Sequence, residues 1–340
     1  MKVKVAYFEI INICNLNCRT CYNRSGLNKQ HREISIKQLC EGIETLLPLG
    51  LQRVLLSGGE PLLHTKFEDI LDLANKYPKI SFGIVTNGTV HNQKLIDILN
   101  TTDNFTLQIS LDGSCEEQNA KTRGEGNFDK AVGFAKQIHK DNPKPLLKMV
   151  LSQNNIEDTE QFYRLAVSLG FIPEFAFIYK SGNSCDEWEN NALTAQQKLW
   201  ILRLVDKLNK ELNTKAVIPF CTDKCPYVKD AEEMSVCIKT DGSIQPCQML
   251  YDGDYSLGNI FKFDLFLFKQ KINDFISLAR KRTQCEYNCH KCMLRETCGK
   301  GCLAAAVNLC GEPLGDDGDC GFRKLQFIGY DLKKSANSNM

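Results

Sequence analysis

Short apolar runs and amphipathic stretches alternate along the first two thirds of the chain. The runs are VAYFEIINI, RVLLS after Gly50, ISFGIVT, FTLQISL, PLLKMVL and EFAFIY. Between them, segments such as ISIKQLCEGIETLLPLG and KFEDILDLANKY repeat their apolar residues every three or four positions, as one face of a helix does. Strand and helix in regular alternation predict a parallel sheet, and six such units predict an α/β fold of partial (β/α)6 TIM-type barrel form. A doubly wound open sheet is the competing arrangement.

The polar motifs follow these runs in a set way. Cys14, Cys18 and Cys21 come after the first run, SGGEP at 57–61 after the second, TNGT at 86–89 after the third, and SLDG at 110–113 closes the fourth. All four fall at the carboxyl ends of strands, the rim on which parallel barrels gather ligands and reacting groups. Taken singly, Gly58 with Gly59, or Asn87 with Gly88, could be ordinary turn pairs. Together on one rim they predict a site, and a side chain at either glycine of SGGEP is expected to intrude on ligand space.

Composition changes the picture in one respect, its cysteines. The chain has 340 residues, 43% of them hydrophobic, with 42 basic and 41 acidic side chains giving a net charge of +1. No basic run suggests a nucleic-acid partner, no apolar stretch approaches a membrane span, and MKVKVAYFEI lacks a signal core, so a cytoplasmic location is expected. Seventeen cysteines in such a chain argue for metal or redox chemistry. Three are the cluster at 14–21, Cys40, Cys115 and Cys185 are scattered, and the rest lie from Cys221 to Cys320. That distribution predicts a boundary near 215, with a barrel over 1–215 and a small cysteine-rich C-terminal domain over 216–335. The stretch Ser181–Asn191 reads as a connecting loop.

Three thiolates in eight residues fit neither a closed four-ligand zinc site nor a disulfide, which would strand one of them. A [4Fe-4S] cluster on three thiolates leaves one iron free to bind something else. Glu60 and Asp112 offer acceptors for an ammonium group or a ribose hydroxyl.

C-x3-C-x2-C after the first strand, GGEP after the second and SLDG after the fourth resemble the radical S-adenosylmethionine (SAM) superfamily. The resemblance implies that the open iron chelates SAM. It implies reductive cleavage to methionine and a 5'-deoxyadenosyl radical, which takes hydrogen from an unactivated carbon. It places the backbone at Gly58, Gly59 and Glu60 near the SAM amino group, Ser110 and Asp112 near the ribose, and Tyr22 and Asn87 among the cofactor contacts. Thr20 stands before the third cysteine, where the family usually has an aromatic residue, and Tyr22 follows it. TRGEGNFDKAV at 122–132 is similar to a stretch in peptide-modifying members, which implies contact of Arg123 with SAM or substrate. Gln118 and Asn119 stand where those members often have a histidine. The resemblance also implies an electron donor of flavodoxin or ferredoxin type.

Farther on, CHKCMLRETCGKGC at 289–302, DGSIQPC at 241–247 and Cys320 resemble the SPASM extension of that superfamily, which carries two auxiliary iron-sulfur clusters. One cluster would use Cys289, Cys292, Cys298 and Cys320. The other would use Cys247 and Cys302, with further ligands from Cys221, Cys225 or Cys237. Four thiolates suit zinc equally well, and zinc is the alternative for this region. Cys285 and Cys310 are expected outside the ligand sets, and Cys40 in apolar packing. Cys115 and Cys185 are either hydrogen donors to a substrate radical or incidental. His31, His64, His91 and His139 lack paired partners and read as surface or core residues.

The expected function is radical modification of a ribosomally made peptide by crosslinking, oxidation or epimerisation. The alternatives are dehydrogenation of a small metabolite such as an aminoglycoside alcohol and, in a different class, a non-catalytic metal-binding protein. The first strand begins almost at Met1, so a peptide is expected to use a groove in the barrel or extension, or a partner protein.

Overall fold

The computed structural model describes residues 2–27, 30–216, 218, 225–229, 233–250, 253–284 and 287–327. Each of the six apolar runs forms a strand: β1 Lys2–Ile11, β2 Arg53–Gly58, β3 Ser81–Thr86, β4 Phe105–Ser110, β5 Leu146–Leu151 and β6 Ile172–Phe177. They pair in parallel and in sequence order, so each new strand is added on the same side of its predecessor. A doubly wound sheet reverses direction after its first half. The unbroken order excludes that arrangement and leaves the partial barrel.

The cysteine-rich segment continues the same sheet. β7 Glu233–Ile238 pairs in parallel with the free side of β1, with Tyr7 opposite Cys237, and β8 Ser243–Gln245 and β9 Gly258–Asn259 follow antiparallel. Among the described residues the sheet has nine strands, with β6 and β9 at its edges. Backbone hydrogen bonds therefore cross the division expected near 215.

Helices cover the outer face of the strands. Ile36–Leu46 begins at a capping box between Ser35 and Gln38 and buries Leu39, Gly42, Ile43 and Leu46, one stripe of the helix. Gly42 lets that helix close on β1, because a Cβ there would lie 2.9 Å from the Phe8 ring. Cys40 packs half-buried against this core, as expected. The pattern at 66–77 forms two short helices, Phe67–Leu71 and Leu73–Lys76, which meet at Asp72. Among the described residues, no helix is long and apolar enough to cross a membrane.

Candidate active site

The loop that follows β1 carries Cys14, Cys18 and Cys21, and three other rim segments hold its backbone. The Arg19 amide donates to the Thr122 carbonyl at 2.8 Å, fixing the loop to the helix Glu116–Arg123. Asn183, on the turn after β6, donates its side-chain amide to the Cys18 carbonyl and its backbone amide to the Cys21 carbonyl, both at 2.8 Å. The neighbouring Gly182 has φ +59, and a Cβ on it would lie 2.2 Å from the Cys21 carbonyl oxygen. The stretch Ser181–Asn191 is thus more than a connector, since it clamps the cysteine loop. Its signal in the sequence was SGNS after a sixth strand, the same rim position as the other motifs.

The glycine pair of SGGEP meets the other side of this loop. The amides of Gly59 and Glu60 donate to the carbonyls of Ile11 and Ile13 at 2.7 and 2.9 Å. A Cβ on Gly59 would lie 1.8 Å from the Ile13 carbonyl oxygen, and one on Gly58, at φ +132, 2.1 Å from that of Ile11. The space those glycines preserve is filled by the backbone of the cysteine loop, which corrects the expectation that it is ligand space. Gly59→Ala is therefore expected to displace the loop, lowering stability by about 1–3 kcal/mol and impairing iron uptake at these cysteines. Thermal unfolding and an iron count check this, and a variant equal to wild type in both would contradict it.

Glu60 is turned inward. Its carboxylate is 1% exposed and accepts from Thr86 Oγ1 at 2.7 Å, the Asn87 amide at 2.8 Å and the Leu62 amide at 3.2 Å. It joins the ends of β2 and β3, so any acceptors this turn offers an ammonium group are carbonyl oxygens. Burial pushes the Glu60 carboxyl up to about 7 from an ordinary 4.5. A carboxyl raised on folding adds stability that is complete below its unfolded value and is lost as pH climbs through its folded value. Glu60→Gln is thus expected to lack a falling component of stability between about pH 4.5 and 7 that wild type shows. Parallel melting curves across that range would contradict the inward carboxylate.

Asn87 connects this network to sulfur. Its side-chain amide donates to Asn15 Oδ1 at 2.9 Å and contacts Cys14 Sγ at 3.7 Å, while its oxygen accepts from the Thr89 amide at 2.9 Å. Burial pushes the Cys14 thiol up to about 11 and the Cys18 thiol up to about 12, with the nearby Cys21 adding to both. Thiols in that state become thiolates when a cation shares the pocket, and a cluster iron would provide one. The donor set thus fits a three-thiolate cluster.

Arg123 supplies positive charge from the opposite side. Its guanidinium, 10% exposed, lies 2.8 Å from the fully buried Asp112 carboxylate and near Cys18. Asp112 also accepts from the Val150 amide at 2.9 Å, Thr122 Oγ1 at 3.2 Å and Thr20 Oγ1 at 3.4 Å. The Asp112 carboxylate thus holds Arg123 and the helix behind it. Thr20, at the position expected to be aromatic, joins that network. Ser110 ends β4 half-exposed on the rim, and the Tyr22 carbonyl accepts from Ser181 Oγ at 3.3 Å.

In the C-terminal region, Cys302 caps the helix Leu303–Cys310, and its sulfur accepts the Ala305 amide at 3.4 Å. Cys225 lies near Leu303 and the buried Arg282, and burial, with Cys225 close by, pushes the Cys247 thiol up to about 11. Cys237 stands on β7, 1% exposed, with its sulfur 3.8 Å from the Glu9 carboxylate. Cys221 and Cys285 lie outside the described residues. Cys289 and Cys292 sit in one turn, with the Cys292 amide on the Cys289 carbonyl at 3.2 Å, and Cys298 neighbours Cys320 electrostatically. Among the described residues, no three Cys, His, Asp or Glu side chains converge on one point as ligands of a single ion do.

The remaining candidates fall apart from these sets. Cys115, Cys185 and Cys310 are exposed. His64 is buried, with Nε2 2.8 Å from the Ile34 carbonyl and Nδ1 accepting the Lys66 amide at 3.0 Å, a satisfied core histidine. His31 pairs with Glu33, and His91 and His139 are exposed.

Residues 8–166 match the model of the radical SAM superfamily. Mycofactocin maturase MftC of Mycolicibacterium smegmatis is 26% identical over 324 residues, covering 92% of this chain and 81% of that protein. Sporulation killing factor maturation protein SkfB of Bacillus subtilis is 23% identical over 272 residues, covering 75% of this chain and 62% of that protein. In structure, native anSMEcpe with bound AdoMet and Cp18Cys peptide superposes with a TM-score of 0.75 at 19% identity over 100% of both chains. Streptococcus suis SuiB bound to precursor peptide SuiA gives 0.73 at 16% identity over 93% of this chain and 75% of that one. Three clamped thiols beside an inward arginine, on the rim of a six-stranded partial barrel, agree with both kinds of likeness: the chain is a radical SAM enzyme, related to the peptide maturases of that superfamily.

Proposed function

We propose that this enzyme modifies a ribosomally made peptide by crosslinking, oxidation or epimerisation. The observation that carries this is the match to MftC, a maturase, over 92% of the chain, which takes in the cysteine-rich extension as well as the barrel. Cys14, Cys18 and Cys21 would hold the [4Fe-4S] cluster. When bound, cluster and SAM supply a 5'-deoxyadenosyl radical able to take hydrogen from an unactivated carbon.

The chain's own residues prepare that chemistry. Asn87 and the Leu16 amide, 3.4 Å from Cys14 Sγ, donate toward one sulfur. Arg123, held by Asp112, would contact SAM or substrate, while Ser110 and Tyr22 would lie on the nucleoside side. The turn Gly58–Glu60 keeps the loop in place and offers its carbonyls. In the extension, Cys289, Cys292, Cys298 and Cys320 would hold one auxiliary cluster. Cys247 and Cys302 would hold the other with Cys225 and, from outside the described residues, Cys221. Cys237 is the weaker candidate there, since its thiol faces Glu9. A flavodoxin- or ferredoxin-type donor would supply electrons.

The test is anaerobic turnover with peptides encoded by small reading frames beside the gene, followed by mass spectrometry. A mass change on one peptide, matched by 5'-deoxyadenosine, is expected. Turnover of an amino-sugar alcohol with every adjacent peptide unchanged would overturn the reading.

A further inference from the structure

The cysteine-rich region keeps two arginines in its interior. Arg282, fully buried, donates from Nη1 to the Pro313 carbonyl and from Nη2 to the Lys300 carbonyl at 2.7 Å. Arg323, 2% exposed, places Nη1 and Nη2 on the two Asp317 oxygens at 2.7 and 2.6 Å. That end-on fork leaves Nε available, and Nε lies 3.1 Å from Cys298 Sγ as a donor. Asp317 in turn accepts the Cys302 amide at 2.9 Å and the Asp319 amide at 3.1 Å. A single buried ion pair therefore runs from the backbone of Cys302 to the sulfur of Cys298.

The chain is shaped around this pair. Gly301 has φ +66, and a Cβ there would lie 2.1 Å from Asp317 Oδ2 and 2.3 Å from Arg323 Nη1. Lys198, from the helix Ala195–Glu211, pairs with Asp319 and ties the segment to the barrel side. Burying a guanidinium costs several kcal/mol unless it is paired and hydrogen-bonded, and pairing with Asp317 alone would satisfy the charge. The contact with sulfur is additional.

We propose that Arg323 is a positioning residue that sets the reduction potential of the iron-sulfur cluster ligated by Cys298, with Asp317 holding it in register with Cys302. The proposal rests on the two-auxiliary-cluster reading above. An N–H directed at a ligating sulfur, with positive charge behind it, favours the reduced, more negative cluster and so raises its potential. Asp317 partly offsets the charge and leaves the directed N–H as the main lever.

The test is an EPR-monitored redox titration of the reconstituted holoenzyme and of Asp317→Asn/Arg323→Gln, a double variant that leaves no buried ion unpaired. Iron content should hold at about twelve per chain while one cluster becomes harder to reduce by at least tenfold, about 59 mV for a one-electron couple. Arg323→Lys keeps the charge without the planar fork and should give a smaller shift in the same direction. Full iron with all potentials unchanged in the double variant would overturn the proposal. Should that variant lose iron, Arg323→Lys decides: a downward shift supports the role, and no shift removes it. A wild-type protein holding only about four irons would overturn the proposal together with the reading beneath it, and the iron count separates the two failures.

Discussion

Replacing Cys14, Cys18 and Cys21 together by alanine is expected to leave about eight of roughly twelve irons per chain and to abolish reductive cleavage of SAM. The loop should keep its course, because what fixes it is backbone: Arg19 on Thr122, Asn183 on the carbonyls of Cys18 and Cys21, and Glu60 on Ile13. None of those bonds uses a cysteine side chain. Removing three half-buried thiols costs some packing, but it also removes two, Cys14 and Cys18, that burial disfavours as thiolates when no cation is present. Circular dichroism and thermal unfolding close to wild type, with 5'-deoxyadenosine absent, are the expected results. Continued formation of 5'-deoxyadenosine by the triple variant would show that these cysteines do not hold the initiating cluster.

The second large effect is expected from Cys292→Ala/Cys298→Ala. Both belong to the ligand set proposed for the cluster beside Arg323, so about four irons should be lost and product formation should stop. SAM cleavage at the barrel should continue, uncoupled from substrate, because the cysteine loop contacts the rim of the sheet and the turn after β6. The alternative for this region makes the opposite prediction. Zinc has no redox chemistry, and its four ligands lie about 2.3 Å from one point. Tightly bound zinc near stoichiometry in the wild type, with only about four irons, would leave the barrel assignment in place and remove the auxiliary clusters.

Much of the barrel was legible in the sequence because its strands β2, β4, β5 and β6 carry only buried or half-buried residues, most of them apolar. RVLLS, FTLQISL and EFAFIY read as apolar runs for that reason, and each became a strand. The rim motifs were legible because a strand end is where polar residues interrupt such a run. Other features lacked a local signal. β7 carries EMSVCI, a mixed stretch whose partner, β1, lies more than two hundred residues earlier, and only the tertiary fold reveals that pairing. Glu60 and Asp112 were read as acceptors because sequence gives residue type without direction. Both carboxylates turned inward once donors from neighbouring strands, Thr86 and the Asn87 amide in one case and the Val150 amide in the other, came within reach. Asn183 and the pair Asp317–Arg323 were missed for a related reason. Each acts on cysteines brought near by folding, and neither lies within a recognisable motif.

These details bear on how the site is kept ready. The cysteine loop is held from three directions by groups that cannot themselves serve as ligands, so a cluster can form there without the loop having to find its path. Preorganisation of that kind keeps ligands in place at little entropic cost when the metal arrives. The same economy applies in the extension, where Gly301 allows the chain to close over a buried ion pair.

The most direct measurement is of SAM itself. Anaerobically reconstituted wild-type protein, given SAM and a strong one-electron reductant, is expected to release methionine and 5'-deoxyadenosine in equal amounts, and the triple variant to release neither. Intact SAM after incubation with a fully iron-loaded, folded wild-type protein would contradict the account.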